Sequence, residues 1–310
     1  MRYLKFLIIT LIMTVCSNSC DSDYIFEKEL YKQVISLICS DTYNVLSDTQ
    51  ELTGEEVESY IAVSVGGTGT TSTDIRLAIV EDETKLVDYN FNNYDADVSR
   101  YAQRLPVWRY TIDDAHIIVP KGERTGKMKI KFNPNGLSPD TAYFLPLAIA
   151  STSAYEINQK KNYLMYRVLI KNFYAQQQSA ATSYTLYSDN GMKGSVSFSL
   201  NKQVQPLTKN SVRMMAGDLE FKSTVASYEA GAIVVTVGDD NKLTIKPYKE
   251  DGTLQVTQVD GDANYPNTFT LENDWGTKWK KFLLHYKYKA GTAAEVDMRE
   301  ELKLEYTDED

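Results

Sequence analysis

Along most of the chain apolar positions recur every second residue, in runs of strand length separated by turn-forming clusters. VISLIC (34–39), YIAVSV (60–65), DIRLAIVE (74–81), HIIVP (116–120), KMKIKF (127–132) and YFLPLAIAS (143–151) carry alternating or continuous apolar patterns, which read as half-buried or fully buried strands. One stretch breaks the rhythm. VDYNFNNYDADVSRYAQRLP (87–106) is turn-rich, predicts a short helical segment, and ends where Pro106 pushes Leu105 into an extended conformation. A polar bridge without an apolar face, KNFYAQQQSAATS (171–183), follows the first set of strands, and the domain boundary is expected there.

Beyond the bridge the strands lengthen and the turns tighten. MKGSVSFSL (192–200), VRMMAG (212–217), AIVVTVG (232–238), KLTIKPYK (242–249), LQVTQV (254–259), NTFTLE (267–272), KFLLHYKYK (281–289) and EELKLEY (300–306) follow in series. Turn signals at Ser188-Asp189-Asn190-Gly191, Gly238-Asp239-Asp240-Asn241 and Asp251-Gly252 punctuate them. An antiparallel meander of this kind hides its edges by curling into a small β-barrel, lipocalin-like, or a closed sandwich. The pattern therefore predicts an all-β chain of two domains, 33–175 and 184–310.

Composition agrees with strands: 22 Tyr stand against 2 His, and β-branched and aromatic residues favour the pleated surface. The net charge is −9. That excess of acid argues against a nucleic-acid partner, which needs a basic face.

The N-terminus is built differently. Arg2 and Lys5 precede FLIITLIMTV (6–15), an apolar run too short to span a bilayer, and Ser17, Asn18 and Ser19 lead to Cys20 and then Asp21-Ser22-Asp23. This is the layout of a secretory signal. It resembles a Bacteroidota lipoprotein signal, which implies a signal peptide over 1–19, lipid attachment at Cys20, a tether over 20–32, and an acidic surface-export address. A metal site or disulfide at Cys16-x-x-x-Cys20 is the rival reading. The metal lacks further ligands nearby, and the disulfide would require the apolar run to be retained. Cys39, between Ile38 and Ser40, reads as a packed thiol.

Three segments carry a family resemblance. LPVWRYTID (105–113), IIVPKGERTGKMKIKF (117–132) and GLSPDTAYFLPLAIAS (136–151) resemble domain of unknown function 1735, with its LP-x-x-x-Tyr, I-x-x-P-x-G and LSP-x-x-x-Y-x-LPL-x-I segments in order. The resemblance implies an immunoglobulin-like β-sandwich, and Trp108 within it reads as structural. The strands after residue 184 resemble the C-terminal β-barrel module associated with domain of unknown function 4361.

Catalytic chemistry finds little footing. His116 and His285 have no nucleophile motif beside them, no Gly-x-Ser-x-Gly turn occurs, and no carboxylate pair sits in a distinctive motif. The chain is expected to be no enzyme and to need no cofactor. Asp260-Gly-Asp262-Ala-Asn264 has the oxygen spacing of a calcium loop, but Tyr265 and Leu271 stand where such a loop needs Gly and Glu, so it reads as a turn and no metal is expected. What remains is recognition by aromatic surface. In ANYPNTFTLENDWGTKWKKF (263–282), Tyr265, Asn267, Asp274, Trp275 and Trp279 combine ring faces with amide and carboxylate groups, the mixture that stacks on and hydrogen-bonds to sugars. Burial of Trp279 as a core plug is the competing reading.

The resemblance implies an outer-membrane, cell-surface lipoprotein that holds the membrane through its lipid and binds glycan for an import complex in polysaccharide utilisation. An adhesin or protein-interaction module and a lipocalin-like carrier stay open beside it.

Overall fold

The computed structural model describes residues 32–177, 180–181, 183–188, 196–198, 202–220 and 224–307. The expected signal segment with Cys16, the expected lipid-attachment position Cys20 and nearly all of the expected tether lie outside the described residues. The protein is all-β, and no described helix is long and apolar enough to cross a membrane.

The first core is enclosed by an 11-stranded sheet that folds over on itself. Strand alternation places Ile61 and Val63 of Val57–Val65, Ile75 and Leu77 of Ile75–Glu81, and Met128 and Ile130 of Thr125–Phe132 on the inner faces, all buried. Pro146, within Tyr143–Thr152, faces Met165 in the neighbouring strand. Two of the longer strands have no counterpart in the predicted pattern, Val45–Glu51 and Tyr163–Lys171, which run parallel over seven paired positions. Val45–Glu51 is an edge strand with only Gln50 fully covered, so its residues carry no apolar alternation.

The helix in the turn-rich stretch spans Thr84–Tyr94, beginning earlier than its pattern implied. The Asp82 carboxylate accepts from the Thr84 backbone N–H at 3.2 Å, and the helix ends at Asp95, whose φ is +49°. Leu86 and Asn90 face the sheet, and Asn90 exchanges two hydrogen bonds with the Ala102 backbone at 2.8 and 2.9 Å. Trp108 departs from its structural reading: it sits on a single 3-10 turn, Val107–Arg109, and is 73% exposed.

The second core lies between a four-stranded sheet and a six-stranded sheet. The four-stranded sheet is a plain meander through Gln205–Thr208, Ser211–Met215, Ala232–Val237 and Leu243–Pro247. The other is built around two long antiparallel strands, Thr277–Ala290 and Val296–Tyr306. Backbone bonds from Leu243 N–H to Asn267 O and from Phe269 N–H to Asn241 O, both 2.9 Å, join the two sheets along one flank. Ala180–Ala181 pairs with Lys202–Gln203 as a separate two-stranded ribbon beside them, and the curled sheets together form a flattened, partly open barrel. Its interior is filled by Phe269, Phe282, Leu284, Tyr286 and Leu302 from one sheet and by Val212, Met214, Ile233 and Val235 from the other. Each such side chain contributes about 1.5–3 kcal/mol on burial.

Residues 172–177 stitch the two domains together. The Asn172 side chain donates to Thr208 O at 2.6 Å and Ser211 O at 2.9 Å, and it accepts from the N–H groups of Tyr174 and Ala175. The Tyr174 ring then packs edge-on against Phe269, with centroids 5.0 Å apart. Across the same joint Arg213, fully buried, reaches Asp140 of the first domain through two hydrogen bonds, at 2.9 and 2.5 Å. Its guanidinium also lies 3.6 Å from the Tyr228 ring centroid and 4.6 Å from that of Tyr248.

Removing one partner of such a pair strands a charge away from water. Asp140→Ala is expected to destabilise the protein by about 3–5 kcal/mol, and to split a single denaturant transition followed by circular dichroism into two, one for each domain.

Candidate functional site

The two long strands of the barrel present alternate residues to solvent, and register brings them together. Trp279, Lys281, Leu283 and His285 point outward on one strand, opposite Glu305, Lys303, Glu301 and Arg299 on the next. On the other side Thr268–Asp274 sets Glu272 opposite Trp279 and Thr270 opposite Lys281. The outer face is thus a strip with an aromatic ring near one end, charged pairs in its middle, and an apolar floor at Leu283.

Segment 259–267 folds over the far end of this strip. Its fixing residue is Asn267, only 2% exposed and at φ +55°. Asn267 Nδ2 donates to Val259 O at 2.8 Å and Asp260 Oδ1 at 3.1 Å, and Oδ1 accepts from His285 N–H at 2.7 Å. All of its side-chain polar atoms are engaged within the fold. The structure makes it the residue that positions the loop, not one that reaches a ligand.

Asp262 holds the rest of that loop. Its Oδ1 accepts from the backbone N–H groups of Asn264 at 2.9 Å and Tyr265 at 3.1 Å, while Oδ2 accepts from Arg299 Nε at 2.7 Å. The Arg299 hydrogen bond, followed by those backbone donors, pulls its carboxyl down to about 2. Asp260, the other acid of the calcium-like spacing, is held by Gln258 and Asn267. His285 lies beneath, 4% exposed, with Nε2 2.8 Å from Asp297 Oδ1 and Nδ1 3.1 Å from Asp262 Oδ2.

Between this loop and the strands opens a groove of about 440 Å³, lined by Asn264, Tyr265, Lys281, Leu283, Arg299 and Glu301. The Tyr265 flank offers a ring and Leu283 an apolar surface, while donors and acceptors converge from the other four. Lys281 and Lys303 bridge Glu272 and Glu301 at 2.9 to 3.8 Å. The Lys281 hydrogen bond holds the Glu272 carboxyl below its ordinary value. Long side chains tied in this way are pre-ordered, which lowers the entropy cost of contacting a ligand.

Of the sequence-derived candidates, Tyr265 lines the groove and Trp279 lies farther along the same outward face, half-buried rather than plugged into the core. Trp275 and Asp274 sit at the exposed hairpin tip beyond it. Trp275 is fully exposed and adopts φ +53°, followed by Gly276 at φ +93°. A two-residue hairpin turn with both φ values positive favours Asn, Asp or Gly at its first position, so a tryptophan there is strained and gains no burial. Lys281, Arg299 and Glu301 went unnoticed in the sequence, where each looks like an ordinary solvated charge. The signal that could have found them is strand alternation combined with the pairing register.

A second cleft, of about 570 Å³, lies between the domains. Its polar walls include Asp140 and Gln205, which are already bound to Arg213, so the groove on the barrel is the stronger candidate.

Family models match the chain in two consecutive pieces, an N-terminal domain over residues 26–156 and a C-terminal domain over residues 162–303. Among curated proteins nothing matches. Solved structures share the fold across both domains. One is a structural-genomics protein of unknown function from Bacteroides ovatus, 19% identical, with a TM-score of 0.63 over 90% of this chain and 98% of that one. Another is a multidomain protein including DUF1735 from the same species, 16% identical, with a TM-score of 0.61 over 88% and 95%. A third, described as an auxiliary nutrient binding protein from Bacteroides thetaiotaomicron, is 12% identical, with a TM-score of 0.56 over 86% and 92%.

Two outcomes follow from the site's geometry. Trp275→Asn relieves the turn and is expected to raise unfolding free energy by about 1 kcal/mol, measured by urea denaturation. Asp262, with a depressed carboxyl pKa, stabilises the fold fully above the unfolded value near 3.8, and that contribution is lost as pH falls toward about 2. Acid titration followed by tryptophan fluorescence is therefore expected to be shallower between pH 4 and 2 in Asp262→Asn than in the parent.

Proposed function

We propose, on the premise that the chain carries both domains of this two-domain architecture, that it is a non-catalytic glycan-binding protein anchored at the outer-membrane surface through Cys20. It would serve a polysaccharide import system, with its first domain read as a domain of unknown function 1735 module that spaces the barrel from the membrane. The second domain is read as a relative of the domain of unknown function 4361 modules.

The observation that carries this reading is the groove on the barrel's outer face. Tyr265 and Leu283 supply surface for the C–H faces of a sugar ring, and Asn264, Lys281, Arg299 and Glu301 supply donors and acceptors for its hydroxyls. The fold shared with an auxiliary nutrient binding protein supports the same class of role, although fold alone does not assign function. The lipocalin-like alternative is disfavoured by the large side chains that fill the barrel, among them Phe282, Tyr286 and Leu302. The interaction-module alternative has one observation in its favour. Val87 and Phe91 lie one turn apart on the solvent side of helix Thr84–Tyr94, with Val98 nearby in sequence, all more than 60% exposed.

A glycan array probed with residues 21–310 tests the proposal. Binding to at least one polysaccharide, reduced at least about tenfold by Tyr265→Ala (roughly 1.4 kcal/mol), is the expected result. Silence across the array from folded protein would move the reading to the interaction module.

A further inference from the structure

The strip does not stop at the groove. From Leu283 to Thr277 the outward face runs six residues along one strand, about 20 Å at the usual strand rise, and the Trp275 tip extends it. Tyr265 and Leu283 lie at one end, the Lys281, Lys303, Glu272 and Glu301 quartet in the middle, Trp279 beyond it, and Trp275 at the tip. This length exceeds a single sugar ring several times over, and the path lies along the open face of a sheet.

Charge narrows the ligand further. Lys281 and Lys303 are matched by Glu272 and Glu301, and Arg299 by Asp262 and Asp297. Among the described residues, the cations Lys281, Lys303 and Arg299 of the strip are thus each answered by carboxylates and do not single out an acidic chain, while the locked carboxylates and ammonium groups still present acceptors and donors to hydroxyls. Aromatic rings beyond the charged middle supply ring-sized stacking surface. The strain at Trp275 points the same way, because a residue held at an unfavourable φ with no packing gain is kept for what it contacts.

We propose that the strip from the Tyr265 groove past Trp279 to the Trp275 hairpin is a platform of several subsites for an extended, uncharged polysaccharide chain. The proposal rests on the glycan-binding reading and adds to it the length and charge class of the ligand. Tyr265 and Leu283 hold one sugar in the groove, and the tryptophans hold units farther along the same chain.

The test is calorimetric titration of the folded protein with neutral glucan, xylan and mannan, with polygalacturonate as the charged arm, and then with a di- to hexasaccharide ladder of the polymer that binds. Affinity is expected to rise about tenfold or more along the ladder, equivalent to roughly 1.4 kcal/mol. Trp279→Ala is expected to lower the hexasaccharide affinity to about the disaccharide level. Trp275→Asn, at a fully exposed position where folding is not at risk, is expected to weaken only the longer oligosaccharides while raising the melting temperature. Equal affinity along the ladder, or a ladder unaffected by either tryptophan variant, would overturn the extended platform and leave glycan binding standing. Preference for polygalacturonate would overturn the neutral class. Absence of binding to every carbohydrate would remove the underlying reading as well.

Discussion

Much of this architecture depends on one buried cation. Arg213 lies in the second domain with no exposed side-chain surface, yet its carboxylate partner, Asp140, belongs to the first. Two tyrosine rings and the Gln205 amide complete its surroundings. A guanidinium can be kept from water only when its donors and its charge are both answered, so the domains must meet in the one arrangement that brings Asp140 to it. Asn172, directly after the last strand of the first domain, works to the same end with neutral groups, since its side chain occupies backbone groups of the barrel and of the joint itself.

The barrel repeats this economy at smaller scale. Its core is largely apolar around one buried ion pair, Lys202 with Glu300, and a few backbone bonds join its sheets along one flank, which leaves the outer faces of the long strands free to carry polar groups. There the charged side chains are tied in pairs, and the covering loop is held by Asn267 and Asp262 from beneath. Rigid scaffolding below and ordered polar groups above are what a recognition surface needs if it is to avoid a large ordering cost on binding.

The all-β class was legible because alternation is a local property. In KFLLHYKYK the positions Phe282, Leu284, Tyr286 and Tyr288 fall on one face, and that face is the core. Turn chemistry was equally local: Asn241 takes φ +61° beside the Gly238 turn that joins two adjacent strands. The parallel ladder between Val45–Glu51 and Tyr163–Lys171 was not legible, since its pairing joins residues far apart in sequence and the first of the two strands is polar. At the site, ring types could be picked out by composition, but a ligand-facing asparagine and an anchoring one look alike until hydrogen bonds are known, as Asn267 demonstrates. The charges that line the groove became visible only once the register placed Leu283 opposite Glu301 and His285 opposite Arg299.

The stitching at residues 172–177 and the Arg213 contact have a mechanical consequence. With the joint occupied by buried polar contacts, turning the barrel against the first domain means breaking them. The bearing of the groove relative to the start of the first domain at Lys32 therefore rests on a handful of side chains, among them Asp140, Asn172 and Arg213.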